Sequence, residues 1–86
     1  MSNIEIVKTA LRKSNYFDNN FVSDFSTESE VNIITKKVFI RNSELNKLKS
    51  IIEDLGGNVY DMFVSAMPSL NYDLCIEVQF NQIDNN

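Results

Sequence analysis

The sequence contains no histidine, and this absence removes several kinds of chemistry at once. Without an imidazole there is no Ser-His or Cys-His nucleophile pair and no histidine-anchored metal site. The only cysteine, Cys75, has no partner for an internal disulfide and cannot build a structural zinc site alone. The two glycines are adjacent, so a glycine-rich phosphate loop is missing. We therefore expect a protein that is not an enzyme, that binds no metal or cofactor, and whose Cys75 is inert.

Long apolar segments are also absent. No uninterrupted apolar run exceeds four residues, so no membrane span is predicted. The first residues lack the positive and apolar regions of a signal peptide, which favours a reducing, cytoplasmic location. With 86 residues, 43% of them hydrophobic and 23% charged, the chain has the composition of a small globular domain. We place this single domain at residues 1–86, with a polar tail at 81–86.

Basic residues are missing from the second part of the chain. The first 49 residues carry eight basic and six acidic residues, a net charge of +2, whereas the last 37 carry six acids and no base, a net charge of −6. An acidic surface repels phosphate groups and attracts basic protein surfaces. The charge distribution therefore favours a basic protein as partner over nucleic acid.

Two segments have the pattern of amphipathic helices. Residues 3–14 follow Ser2, which forms a capping-box signature with Glu5, and they place apolar residues at helical spacing. A second helix is predicted to be capped by Asn42 or Ser43 and to end in the left-handed manner at Gly56-Gly57. Its buried stripe is expected to be Leu45, Leu48, Ile51, Ile52 and Leu55.

The remaining segments favour strands. Residues 31–40 are rich in β-branched side chains, and residues 60–66 and 73–80 alternate strictly between apolar and polar, with a hairpin loop at 67–72. We interpret residues 21–25 as a short strand paired with 31–40, although Phe17, Phe21 and Phe25 repeat every four residues and leave a helix as the alternative over 16–30. The side chains expected to be buried in the last two strands are Tyr60, Met62, Val64, Leu74, Ile76, Val78 and Phe80.

The element order αββαββ predicts an α+β fold. From Val31 onward, strand–helix–strand–strand is three quarters of a split βαβ unit, and the first helix and strand would complete it. We expect a four-stranded antiparallel sheet with two helices on one face, a ferredoxin-like sandwich in circularly permuted order with the final strand central. The other face of the sheet would be open.

On that open face the alternation places an aromatic residue, Phe63, among acids. A large apolar side chain ringed by carboxylates is typical of an anchor that selects a basic partner. The alternative is that Phe63 is covered and that the acids only keep the sheet soluble. Acids at the end of the second helix oppose its dipole and are a further candidate contact. The candidate partner-binding residues are Asp61, Phe63, Asp73, Glu77, Glu53 and Asp54.

Residues 38–42, with Phe39 in second position and a helix after them, resemble the first-strand motif of RNA-recognition-motif domains. Residues 72–80 fall where the third-strand motif of that family would lie, so the resemblance covers about 37–80. It implies a sheet that stacks bases on aromatic side chains. Aligned on Phe80, however, the aromatic positions hold Cys75 and Glu77, and the basic position holds Asp73. The stacking pair is therefore missing.

Size, charge and lack of catalytic groups together predict a small acidic binding protein that occludes a basic surface of a larger protein. Phage- or plasmid-encoded inhibitors of host nucleic-acid enzymes belong to this class, as do immunity and antitoxin-type proteins. The abundance of Asn, Ile and Lys fits AT-rich coding in bacteria of low GC content and their phages. Nucleic acid and membrane are not expected as partners, and a homodimer is compatible with these features. The alternative is a nucleic-acid-binding domain with a sheet like that of RNA-recognition motifs, which uses the basic N-terminal half.

Overall fold

A computed structural model describes residues 1–14, 21–37, 39–66 and 74–81. The predicted hairpin loop at 67–72, the acid Asp73 and most of the predicted polar tail lie outside the described residues. Two helices, α1 and α2, and three strands of six to eight residues make up the fold. They are Asn3–Lys13 (α1), Asn42–Asp54 (α2), Glu30–Thr35 (the N-terminal strand), Val59–Ala66 (the edge strand) and Leu74–Phe80 (the central strand).

The sheet is antiparallel, and the central strand lies between the other two. This confirms that the last strand along the chain is the middle one. The predicted four-stranded sheet and the ferredoxin-like sandwich are wrong, because the fold is α+β with two helices and a three-stranded sheet. The segment predicted as the fourth strand contributes only Phe21–Val22. These two residues pair with Ile34 and Ile33 along the side of the N-terminal strand that faces away from the central strand.

Serine side chains explain why that pairing is so short. The Ser23 N–H still donates to the Asn32 carbonyl at 2.8 Å, but Ser26 then donates to the Ser23 carbonyl at 3.1 Å and closes a turn. The Ser26 hydroxyl accepts the Asn32 N–H at 2.9 Å, which a neighbouring strand would otherwise bind. Ser and Asp side chains compete with backbone ladders in this way, so the chain leaves the sheet after Ser23.

Both helices pack on the same face of the sheet. The buried residues of α1 and α2 join one cluster with the alternate, inward-facing residues of all three strands. Burial of this apolar surface is the main favourable contribution to folding. The cluster consists of Ile6, Val7, Ala10, Val31, Ile33, Leu48, Ile52, Val59, Ile76, Val78 and Phe80. Among the described residues, no helix is long and apolar enough to cross a membrane.

The helix ends are held by specific backbone contacts. Ser2 caps α1 as predicted, with its hydroxyl accepting the Glu5 N–H at 3.2 Å. The residue at the N-cap of α2 is Arg41, which makes no side-chain cap hydrogen bond, so the prediction of Asn42 or Ser43 is wrong. Gly56 follows α2 at φ +98°, a conformation that other residues rarely adopt, which confirms the left-handed end.

A β-bulge in the edge strand changes which of its side chains face the helices. Val59 pairs with Phe80 and Asp61 with Gln79, so one extra residue, Tyr60, is inserted between two successive pairs. Val59 is consequently buried, whereas Tyr60 is 69% exposed. The prediction that Tyr60 is buried is therefore wrong. Val64 faces the helix side but is 36% exposed, so its predicted burial is also wrong.

The N-terminal strand ends at Thr35, five residues before the predicted end at 40. Lys36 and Lys37 follow it outside the sheet, and Phe39 is 60% exposed, with the Arg41 guanidinium 5.8 Å from its ring centroid. Phe39 therefore does not lie on a strand. The resemblance to the first-strand motif of RNA-recognition-motif domains does not extend to the structure.

Candidate functional site

The strand register defines the residues on the sheet face opposite the helices, which we call the outer face. Directly paired residues of neighbouring strands point to the same side of a sheet. Three rows of such partners therefore cross the outer face from the N-terminal strand, through the central strand, to the edge strand. The rows are Glu30–Gln79–Asp61, Asn32–Glu77–Phe63 and Ile34–Cys75–Ser65.

Three carboxylates meet at one end of the outer face. A hydrogen bond with Glu30 raises the pKa of the Glu77 carboxyl, and partial burial and the nearby charges of Glu30 and Asp61 raise it further. Gln79 opposes this rise, since its amide nitrogen donates to the Glu77 carboxylate at 3.3 Å. Like charges that share a site resist simultaneous ionisation. We call Glu30, Asp61 and Glu77 the carboxylate triad.

Phe63 lies beside this triad. It is the direct cross-strand partner of Glu77 on the edge strand, and 40% of its surface is exposed. The prediction that an aromatic side chain lies among acids on this face is therefore confirmed for Phe63, Asp61 and Glu77. An exposed ring next to carboxylates offers apolar contact area and negative charge to the same ligand.

Part of the outer face is buried, contrary to expectation. The side chains of Asn32, Ile34 and Cys75 are buried, and the Cys75 Sγ lies 3.7 Å from the Asn32 Oδ1. Cys75 lies on the face away from the helices, as the alternation of residues 73–80 predicts, but its side chain is buried instead of semi-exposed. Burial raises the pKa of the Cys75 thiol, and the charges of Glu77 and Glu30 raise it further. The protonated thiol is a poor nucleophile.

The remaining candidate residues lie apart from the triad. Glu53 and Asp54 are exposed at the end of α2, in the helix layer on the opposite side of the sheet. Asp73 lies outside the described residues. Glu30 was not among the predicted site residues, although it heads the N-terminal strand and pairs with Gln79. The sequence pattern that could have identified Glu30 is the alternation of the N-terminal strand, which places Glu30, Asn32 and Ile34 on one face.

Two basic residues near the start of α2 contact neighbouring side chains. Lys37 Nζ pairs with the Glu44 carboxylate at 3.3 Å, and the Arg41 guanidinium lies over the Phe39 ring. Both contacts tie basic groups to neighbouring side chains at the start of α2. They reduce the positive charge that this region presents to phosphate groups.

A depression of about 490 Å³ opens at the end of the sheet between the two helices. Its lining includes one carboxylate, Glu28, whose oxygens already accept the backbone N–H groups of Asn3 and Ile4 at 2.7 and 3.3 Å. A carboxylate committed to a helix end is not poised for acid–base chemistry. The depression is therefore a weaker candidate site than the outer face.

Comparisons with protein-family models, curated proteins and solved structures gave no match to this chain. The carboxylate triad and Phe63 on the outer face are therefore the features that indicate a function.

Proposed function

We propose that this protein is not an enzyme and that it binds and occludes a basic surface of a larger protein. The observation that carries the proposal is the carboxylate triad beside the half-exposed Phe63. A hydrogen bond with Glu30 and partial burial raise the pKa of Glu77, and repulsion from the nearby charges of Glu30 and Asp61 raises it further. A lysine or arginine of the partner would relieve this repulsion and stabilise the ionised triad.

The proposed partner is a nucleic-acid enzyme whose own substrate-binding surface is basic. An acidic protein that covers such a surface competes with the phosphate backbone and inhibits the enzyme. An inhibitor encoded by a phage or plasmid, and an immunity or antitoxin-type protein, would both act in this way. A rigid sheet suits the role because it holds the acids and Phe63 in place without loss of conformational entropy on binding.

Two charge variants with matched chemistry test the proposal. One carries Glu30→Gln, Asp61→Asn and Glu77→Gln on the outer face; the other carries Glu53→Gln and Asp54→Asn in the helix layer. Each is immobilised beside the wild type, lysate from low-GC bacteria is passed over them, and retained proteins are identified by mass spectrometry. Wild type and the helix variant should retain a basic nucleic-acid enzyme that the outer-face variant loses, and the wild type should inhibit that enzyme.

Other outcomes contradict the proposal. If the helix variant alone loses the enzyme, the contact is the end of α2, and if all three baits behave alike, the acids serve only solubility. Micromolar, salt-sensitive binding of the wild type to duplex DNA or single-stranded RNA would favour the nucleic-acid-binding alternative instead.

Rate measurements with the captured enzyme separate the roles of charge and ring. Glu77→Lys should mainly slow association, because charges steer the encounter. Phe63→Ala should mainly speed dissociation, because a buried aromatic anchor holds the complex once it has formed. An unchanged dissociation rate for Phe63→Ala would exclude Phe63 as the anchor.

A further inference from the structure

The outer side of the edge strand carries backbone groups that bond to no other strand among the residues that the structure describes. Phe80 donates its backbone N–H to the Ser29 carbonyl at 2.9 Å, so this residue of the central strand turns its backbone away from the edge strand. Hydrogen-bonding direction alternates along an antiparallel strand. The odd-numbered residues of the central strand therefore bond to the edge strand, and their partners there turn inward. The backbone groups that face the free edge belong to Met62, Val64 and Ala66.

A side-chain contact supports this assignment. The Met62 N–H donates to the carboxylate of its own neighbour, Asp61, at 2.9 Å, rather than to the central strand. Asp61 thus covers one of the donors on the free edge. The residues before Val64 and Ala66 are Phe63 and Ser65, which carry no carboxylate. Among the described residues, no other strand pairs with this edge.

Natural proteins protect free edges with lysine, proline, bulges or very short strands. The edge strand has no lysine or proline, and its bulge lies at its beginning, so residues 61–66 pair regularly with the central strand. The apolar side chains of Val64 and Phe63 are 36% and 40% exposed on its two faces. In the part of the chain that the structure describes, the edge can therefore accept a further strand at Val64 and Ala66, whereas at Met62 the Asp61 carboxylate would have to move aside.

We infer that this edge binds an extended segment of the partner in which basic and apolar side chains alternate. The inference rests on the proposed function and specifies the partner of the same site. In an added strand, every second side chain would lie on the outer face beside Asp61, Phe63 and Ser65, and the others would lie beside Met62 and Val64. A long basic side chain in the first set would meet Asp61 and extend over the edge strand toward Glu77, one strand further in, whereas the second set would meet apolar groups. A second copy of this chain fits less well, because each copy carries a net charge of −4.

Defined peptides test the inference. The probe is a fluorescent ten-residue peptide that alternates lysine with valine, and its binding is followed by anisotropy. One control peptide has the same composition in two blocks, and another carries N-methyl groups on alternate residues so that it cannot hydrogen-bond to the edge. On the protein, Val64→Pro removes an outward N–H without removing a bond to the central strand. The alternating peptide should bind the wild type. The N-methylated peptide and Val64→Pro should weaken binding by about tenfold or more, because hydrogen bonds to the edge are lost. The block peptide should weaken binding as much, because its basic and apolar side chains no longer match the two faces of the edge strand.

The outcomes separate this inference from the proposed function. If all three peptides bind alike and only Glu77→Lys weakens them, the acidic face binds cations but the edge does not add a strand. If no peptide binds even at low salt, the inference fails, and the capture and inhibition experiment alone decides the proposed function. If the wild type self-associates in sedimentation and Val64→Pro does not, a second copy occupies the edge, and the inference is wrong. The N-methylated peptide keeps the test valid if Val64→Pro does not fold.

Discussion

The carboxylate of Glu28 accepts the backbone N–H of Asn3 at 2.7 Å, across 25 residues of sequence. The same carboxylate accepts the Ile4 N–H at 3.3 Å, and the Asn3 side chain donates to the Glu28 carbonyl at 2.7 Å. The first N–H groups of a helix have no partner within the helix. The turn before the N-terminal strand therefore completes the start of α1 and fixes the helix against the sheet.

We expect Glu28→Ala to destabilise the protein by about 1 kcal/mol, the usual cost of losing a helix cap. Urea unfolding followed by circular dichroism measures this change. Glu5→Ala is the control, because the Glu5 carboxylate is exposed and pairs with Lys8 at 3.8 Å. Exposed pairs of this kind contribute little. Equal losses for the two variants would mean that the Glu28 contact does not stabilise the helix start.

The centre and the edge of the sheet differ in how much packing an alanine substitution removes. Ile76 is fully buried under the helices, so Ile76→Ala should destabilise the protein by about 2–4 kcal/mol. Val64, its partner on the edge strand, is 36% exposed, and Val64→Ala should cost less than about 1 kcal/mol. Chemical denaturation of both variants measures the difference. A loss below about 1 kcal/mol for Ile76→Ala would mean that the central strand faces the other way.

The raised pKa of Glu77 predicts a pH-dependent stability. As pH rises above the ordinary glutamate pKa, the unfolded chain loses its proton first while the folded protein keeps its own. Stability contributed by this group is therefore present at low pH and is lost as pH rises through the raised pKa. Glu77→Gln should melt a few degrees above the wild type at pH 7, and the difference should vanish near pH 4.

Thermal melts across this pH range provide the measurement. Glu53→Gln, in the helix layer, removes one exposed charge far from the triad and should not reproduce the pH-dependent gain. If Glu77→Gln melts below the wild type at pH 7, the ionised Glu77 carboxylate stabilises the fold. Its repulsion from the other carboxylates of the triad is then not destabilising.

Much of the architecture could be predicted from the sequence, because the helices and the last two strands have clear periodicity. The strict alternation of residues 73–80 placed Ile76, Val78 and Phe80 in the core. The prediction that Tyr60 is buried was wrong because a bulge reverses the face of the residues before it in the strand. An alternating sequence pattern does not reveal such a bulge. The prediction that the N-terminal strand continues through residues 36–40 was wrong because β-branched side chains favour an extended backbone, whether or not a neighbouring strand is present.

The site was predicted only in part for a similar reason. Alternation within one strand placed Asp61, Phe63 and Glu77 on the same face, and this was correct. The contribution of Glu30 depends on which strand lies beside the central strand and in which register, and a single sequence does not contain that information. The burial of Cys75 likewise depends on neighbours such as Ile34 and Asn32, which belong to a distant part of the chain.

The central position of Leu74–Phe80 has a consequence for biosynthesis. The N-terminal strand and the edge strand do not pair with each other, so each lacks its main neighbour until the ribosome has released the residues up to Phe80. Before that moment, the newly made helices have no completed sheet to cover, and their apolar faces are open to chaperones. Long-range strand pairing is slow compared with helix formation. This domain is therefore expected to fold in a single late step, after Leu74–Phe80 has been translated.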